Sequence, residues 1–355
     1  MKKIIYFMNV DWNWIKQRPH FIAEGLAKNN DVTVVYKYRY NRTGFQKREE
    51  HQNVKPMKVI PLENKIPFVK SVNRFLMKMI VGHYIKKTKA DMLYLTYPDQ
   101  ISCVPAWYEG QIIYDCMDYH VALEFDEKRK RFITQQERNM VEKADFILVS
   151  ANNLKEKLLQ NYGENFYNKI TLVRNGYNGP VLSVSDTTKE AKEFFTISYF
   201  GTISSWFDFD LINKSLEDFS NIKYELIGPV SEVAIPEHDR IVYKGTVEHE
   251  YLGEVVNSAD CFIMPFVLND IVEAVDPVKL YEYINFNKDI LCVKYDEIKR
   301  FEPFVYFYHD YDSYRMQLEE IMRRTSLKYD VKERETFLLD NSWENRIEII
   351  EGLWR

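Results

Sequence analysis

The chain has 355 residues, 28% of them charged, with a formal net charge of -5 at pH 7. That length suits two domains of ordinary size, each with its own core, and the mildly acidic balance argues against a nucleic-acid partner. The four cysteines, Cys103, Cys116, Cys261 and Cys292, match no zinc or redox spacing and read as reduced thiols of a cytoplasmic protein.

Ile4 to Met8 is an apolar run too short for a signal peptide, and Asp11 soon follows. No stretch approaches the roughly 18 apolar residues of a membrane-spanning helix, so a soluble or peripheral protein is expected. Lys3 to Asn9 reads as a strand, Gln17 to Lys28 as a helix and Asp31 to Tyr36 as a second strand. The turn between the first two, Asn9 to His20, lacks the glycine fingerprint of a dinucleotide fold and carries Trp12, Trp14 and Arg18 instead. Arg18 is expected to pair with an acceptor phosphate or a donor diphosphate, and Trp14 to lie against a sugar ring or lipid. The plain alternative for both tryptophans is ordinary packing.

Residues 65 to 89 hold seven lysines and arginines and no acid. Phe68, Val72, Phe75, Leu76 and Met79 form an apolar stripe at helical spacing, with Lys70, Arg74 and Lys78 on another face. The stripe is expected to pack on the domain, while the basic face stays available to anionic lipid at the inner face of the membrane. Strands are expected at Met92 to Thr96, Gln111 to Tyr114 and Phe146 to Val149, with a charged helix from Thr134 to Lys143. The run Ile112 to His120 leaves its strand into polar residues, and ligands sit at the carboxyl ends of strands in open α/β sheets. Asp118 there is the candidate base for an acceptor hydroxyl; Asp115 competes for the role, and His120 is a weaker choice.

Leu172 to Gly176 closes this half on an Asn-Gly turn, and polar Ser183 to Glu193 reads as a linker. From Thr196 the alternation of strand and helix begins again, implying two similar halves. The most telling segment is Asp276 to Tyr283. Asp276 is expected as an N-cap, with Pro277 in the first helical position. That helix start, with Lys279 beside it, suits a diphosphate. Glu282, three residues further and on the same face, is placed to accept the two ribose hydroxyls of a nucleotide. An ion pair on a solvated helix is the plainer reading of that spacing.

The run Thr196 to Asp208 with its turn at Gly201 and Thr202, the strand ends at Gly228-Pro229 and Gly245, the run Ala259 to Phe266 and the Asp276 helix occur in a fixed order. Together they resemble the donor half of bacterial GT-B glycosyltransferases, in particular the group of teichuronic-acid and other cell-surface polysaccharide transferases. The resemblance implies an α/β fold of two Rossmann-like domains with parallel sheets facing across a cleft and a last helix crossing back to the first. Its divisions are residues 1–180 for the acceptor, 181–335 for the nucleotide sugar and 336–355 for the returning helix. It implies transfer of a sugar from a nucleoside diphosphate sugar, uracil first, to a saccharide or lipid-linked saccharide. Gly201, Thr202, Lys279, Tyr281 and Glu282 are its implied donor contacts, and Asp118 matches its base in an inverting enzyme.

Two positions depart from the pattern. Where many retaining members carry a first glutamate eight residues before Glu282, this chain has Ala274, which leaves retention or inversion open. Asn287-Lys288-Asp289 replaces the usual glycine-lysine-proline, and asparagine tolerates the left-handed cap conformation needed there. Neither a separate cofactor nor a metal is expected. A sugar-nucleotide epimerase of the same fold, or a catalytically degenerate partner subunit, are the competing readings.

Overall fold

The computed structural model describes residues 1–14, 16–37, 54–59, 67–182, 192–248 and 251–354. The chain forms two compact units, one of Met1–Asn175 with Trp343–Arg355, the other of Gly176–Ser342.

Unit 1 is built on seven parallel strands: β1 Lys3–Met8, β2 Asp31–Lys37, β3 Val54–Val59, β4 Met92–Leu95, β5 Gln111–Cys116, β6 Phe146–Val149 and β7 Ile170–Leu172, in the order β3-β2-β1-β4-β5-β6-β7. Strands covered on both faces read as unbroken apolar runs, as in β4, whose four residues are all buried. β3, which no expected strand covers, contains Pro56 and lies at the sheet edge, where a missing N–H is tolerated. The helices are α1 Arg18–Leu26, α2 Pro67–Thr88, α3 Glu127–Lys143 and α4 Asn152–Tyr162.

Two helices depart from expectation. α3 starts two turns before Thr134 because Asp126 caps it, accepting from the Arg129 amide at 2.8 Å. In α2 the stripe expected to pack is exposed: Phe75, Leu76 and Met79 are 63%, 42% and 59% accessible. Burial falls on Val81 and Ile85 instead, because the second half of α2 lies against the loop at Pro105 and Trp107; a Cβ on Gly82 would sit 3.4 Å from Pro105 Cγ. The side chains of Phe68 and Lys70 lie outside the described residues, as does the expected linker up to residue 191.

Unit 2 repeats the plan with six parallel strands: β8 Phe195–Phe200, β9 Ile222–Ile227, β10 Ile241–Tyr243, β11 Cys261–Met264, β12 Asp289–Val293 and β13 Tyr306–Tyr308, in the order β10-β9-β8-β11-β12-β13. Its helices are α5 Phe209–Asp218, α6 Leu252–Val255, α7 Asp270–Glu273, α8 Val278–Asn285, α9 Tyr311–Arg323 and α10 Val331–Asp340. An aromatic cluster seats α8 on the sheet: Tyr283 stacks on Phe262 at 4.6 Å and meets Phe200 edge-on at 4.7 Å. Asn287, with φ of 54°, turns the chain out of α8 in the left-handed conformation expected of it.

The last helix, α11 Trp343–Gly352, belongs to unit 1. Trp343, Ile347 and Ile350 enter the core around α1, and Trp343 stacks on Phe21 at 5.0 Å. Gly25 has no side chain because Ile347 occupies the place of its Cβ. Among the described residues no helix is long and apolar enough to cross a membrane.

Candidate functional site

In unit 2 the carboxyl ends of β8, β9 and β10 are laid backbone to backbone. The Gly201 amide donates to the Ile227 carbonyl at 2.9 Å, and the Gly228 amide donates to that of Gly245 at 2.8 Å. Gly201 and Gly228 have φ of 142° and 130°, a region that side chains rarely enter. A Cβ on Gly228 would run into the Gly201 carbonyl, and a Cβ on Gly201 would collide with Lys279 Cε and sit 2.8 Å from Nζ. The Lys279 ammonium therefore lies directly over the bare Gly201 turn, at the first turn of α8. Thr202 follows at the same turn, half-buried, with its carbonyl accepting from the Tyr199 hydroxyl.

Burial pulls the Lys279 pKa below the ordinary 10.5, and the Glu282 charge partly restores it. A half-buried cation thus stands at a helix N-terminus, an arrangement whose charge and dipole suit an anion. Glu282 is half-buried one turn on. The Tyr177 phenol feels its charge and is pushed up to about 12, by burial first and Glu282 next.

The helix start differs from the reading of Asp276 as N-cap. The cap position is Pro277, and the first helical residue is Val278. The Asp276 carboxylate is 1% exposed and ion-paired with Arg300, whose Nη2 also donates to the Tyr281 hydroxyl at 2.7 Å. Burial opposes charge on Arg300, but Asp276 and Tyr281 outweigh it and hold its pKa above the usual value. Tyr281, expected among the donor contacts, is fully buried, stacking on Phe337 at 5.9 Å and meeting Phe301 edge-on at 5.1 Å. Its burial and partners fit it to anchor α8 rather than to offer its ring to a ligand.

At the other end of α8 a fully buried Arg334 from α10 donates to the Asn285 carbonyl at 2.8 Å and to the Leu182 carbonyl at 2.5 Å. The Asn285 side chain accepts from the Leu182 amide at 3.0 Å and donates to the Pro180 carbonyl at 3.3 Å. The Tyr177 hydroxyl donates to the Pro180 carbonyl at 2.8 Å, and its backbone amide donates to the Asn341 carbonyl at 2.7 Å. The segments by which the chain enters and leaves unit 2 are so tied to α8 and to each other. Nothing in the sequence pattern marked Arg334 or Asn285, since their partners lie up to 152 positions away.

In unit 1, Asp118 lies just beyond β5 and is half-buried. Its carbonyl accepts from the His120 amide at 2.9 Å, and its carboxylate accepts no hydrogen bond among the described residues. His120 is 3% exposed against the Tyr97 ring at 4.9 Å, and its Nε2 has no hydrogen-bond partner among the described residues. Trp14 is half-buried in the turn before α1, its amide donating to the Asp11 carbonyl. Arg18 does not meet the expectation of a phosphate contact. It is 5% exposed, with Nε and Nη2 on Asp115 at 2.8 to 3.1 Å and Nη1 on the Val173 carbonyl at 2.8 Å. Burial opposes its charge, yet Asp115 raises its pKa above the usual value. Asp115, which also accepts from Tyr94, is fully buried in this pair, leaving Asp118 as the accessible carboxylate of the two.

No family model matches the chain. It is 22% identical over 240 residues to a putative teichuronic acid biosynthesis glycosyltransferase, TuaH, of Bacillus subtilis strain 168; the match spans 62% of this chain and 60% of that protein's length. Among solved structures it is similar to a sucrose-phosphate synthase from Thermosynechococcus elongatus, with a TM-score of 0.70 and 12% identity over 100% of this chain and 98% of the other. Anabaena HepE in complex with UDP-glucose gives a TM-score of 0.68 and 8% identity over 99% of each chain. Two doubly wound parallel sheets, a terminal helix returned to the first unit, and these likenesses give the chain the GT-B fold of the glycosyltransferases.

Proposed function

We propose that the protein is a glycosyltransferase that moves a sugar from a nucleoside diphosphate sugar, with uridine the favoured nucleoside, to a saccharide or lipid-linked saccharide at the inner face of the cell membrane. The observation that carries this reading is the Lys279 ammonium lying over the bare Gly201 turn at the head of α8, with Glu282 one turn further. The name of the similar TuaH supports a cell-surface acceptor, and the UDP-glucose held by HepE supports the nucleotide.

In the reaction the bond between the anomeric carbon and the diphosphate oxygen breaks, and its electron pair leaves with the diphosphate. Lys279 and the amides at the start of α8 stabilise that charge, so positive charge comes from the chain itself without a metal. Glu282 accepts the ribose hydroxyls and fixes the donor's orientation. The acceptor oxygen forms the new bond to the anomeric carbon, and in a displacement with inversion Asp118 takes its proton.

The test is product formation from UDP-sugars with saccharide acceptors, with the anomeric configuration read by NMR. Asp118→Asn is expected to lower kcat by about 10²- to 10⁴-fold with KM for the donor little changed. A retained configuration would remove Asp118 from the role of base, and an epimerised sugar formed from a UDP-sugar with no acceptor present would replace transfer with epimerisation.

A further inference from the structure

Helix α2 leaves an apolar surface uncovered. Phe75, Leu76 and Met79 stand 63%, 42% and 59% exposed, at spacings that put them on one helical stripe. Single exposed apolar residues are ordinary, but the patch continues past them. Trp107, 48% exposed, lies beside Gly82, with Lys86 Nζ over its ring at 4.9 Å. At the middle of α2, Arg74 shares the Phe132 ring with Arg129 of α3, and Phe125 is 93% exposed just before that helix.

On α2 itself the charge has one sign, although exposed Glu109 follows Trp107 and exposed Glu127 opens α3. From Pro67 to Thr88 there is no acidic residue, and Arg74, Lys78, Lys86 and Lys87 are exposed, in a chain whose net charge is -5. Of the acids before and at the start of α3, Glu124 accepts from Tyr97 and Arg129 and Asp126 caps the helix; Glu127 is exposed, beside exposed Lys128 and Arg131. An apolar stripe edged by cations fits the boundary of an anionic bilayer, where rings and methylenes enter the headgroup layer and cations meet lipid phosphates. A second copy of the chain placed symmetrically on this face would bring like charges together.

We propose that this face docks unit 1 on an anionic membrane surface, with Phe75, Leu76, Met79 and Trp107 entering the headgroup region and Arg74 and Lys78 contacting lipid phosphates. The inference deepens the proposed function, resting on it for the lipid-linked acceptor, and it names the surface that would bring the enzyme to that acceptor.

The experiment is co-sedimentation of the full-length chain with phosphatidylglycerol-containing vesicles and with phosphatidylcholine vesicles. Wild type is expected to bind the anionic vesicles only. The triple variant Phe75→Ser, Leu76→Ser, Met79→Ser and the double variant Arg74→Glu, Lys78→Glu are each expected to lose at least about tenfold in vesicle affinity. A UDP thermal shift on the same samples shows that the variants are folded and reads the donor site separately. Vesicle binding that the substitutions abolish, without any UDP shift, would sustain the docking face and discard the transfer reading. Wild-type protein that ignores anionic vesicles, or variants that bind as wild type does, would overturn the proposal. So would a wild-type dimer that the triple variant converts to monomer while vesicle binding stays unchanged, since the face would then be a contact between copies.

Discussion

Lys279 is held at a cost of burial that the Glu282 charge offsets only in part. Burial lowers its pKa below 10.5, so in the free protein it loses its proton earlier than an exposed lysine does. A bound diphosphate favours the charged form and raises that pKa. If UDP binds there as proposed, its affinity is expected to be full below the free-state pKa and to fall as pH climbs through it towards 10.5, a decline that titrations at increasing pH would record. Lys279→Arg keeps its charge and should lose the part of the decline that Lys279 causes, leaving only the part due to the uracil N3 proton. In the absence of ligand the sign reverses for folding: the unfolded chain binds the proton more tightly, so this residue's contribution to stability grows as pH rises through the same range. Arg18 shows the opposite economy, a buried charge fully paired. Arg18→Met leaves the Asp115 carboxylate buried without its cation and is expected to destabilise unit 1 by about 3–5 kcal/mol, read as a loss in denaturant unfolding.

The position of α8 depends on both of its ends. Asp276 and Arg300 fix its beginning, Tyr281 and Tyr283 bury its sides, and Arg334 and Asn285 join its last carbonyl to the chain at Pro180 and Leu182. Arg334→Met removes two carbonyl bonds from a buried site, and a small displacement of α8 is expected to reach Lys279. A several-fold weaker UDP affinity with loss of amide-exchange protection in α8 would show this; unchanged protection would make Arg334 a packing residue only. The elements legible in the sequence were those with strong local signals. β1, β2 and β6 follow from apolar runs, and Lys279 and Glu282 share a face because helical spacing requires it. What escaped depends on partners distant in sequence. Asp276 looked like a cap until Arg300 claimed it, Arg18 looked like a phosphate ligand until Asp115 did, and the α2 stripe looked like core although its neighbours pack elsewhere. Periodicity fixes which residues share a face but says nothing about what covers that face.

At the scale of the molecule, two sheets of the same winding are closed differently. Unit 1 is completed by α11, whose Ile350 is fully buried against the α1 side of the sheet, while unit 2 contains the Lys279 constellation within its own residues. Ile350→Asp buries an unpaired charge in unit 1 and should lower the stability of that unit by several kcal/mol while UDP binding persists under native conditions. Amide exchange would place the loss in α1 and α11, and an equal loss throughout unit 2 would contradict this separation. The proposed function stands on α8 and the Gly201 turn holding a nucleoside diphosphate. Its most direct test is calorimetric titration of UDP into the wild type, Lys279→Met and Glu282→Gln. The wild type is expected to bind UDP, and each variant to bind at least about tenfold more weakly, a loss of about 1.4 kcal/mol or more. Binding of equal strength in all three proteins would contradict it.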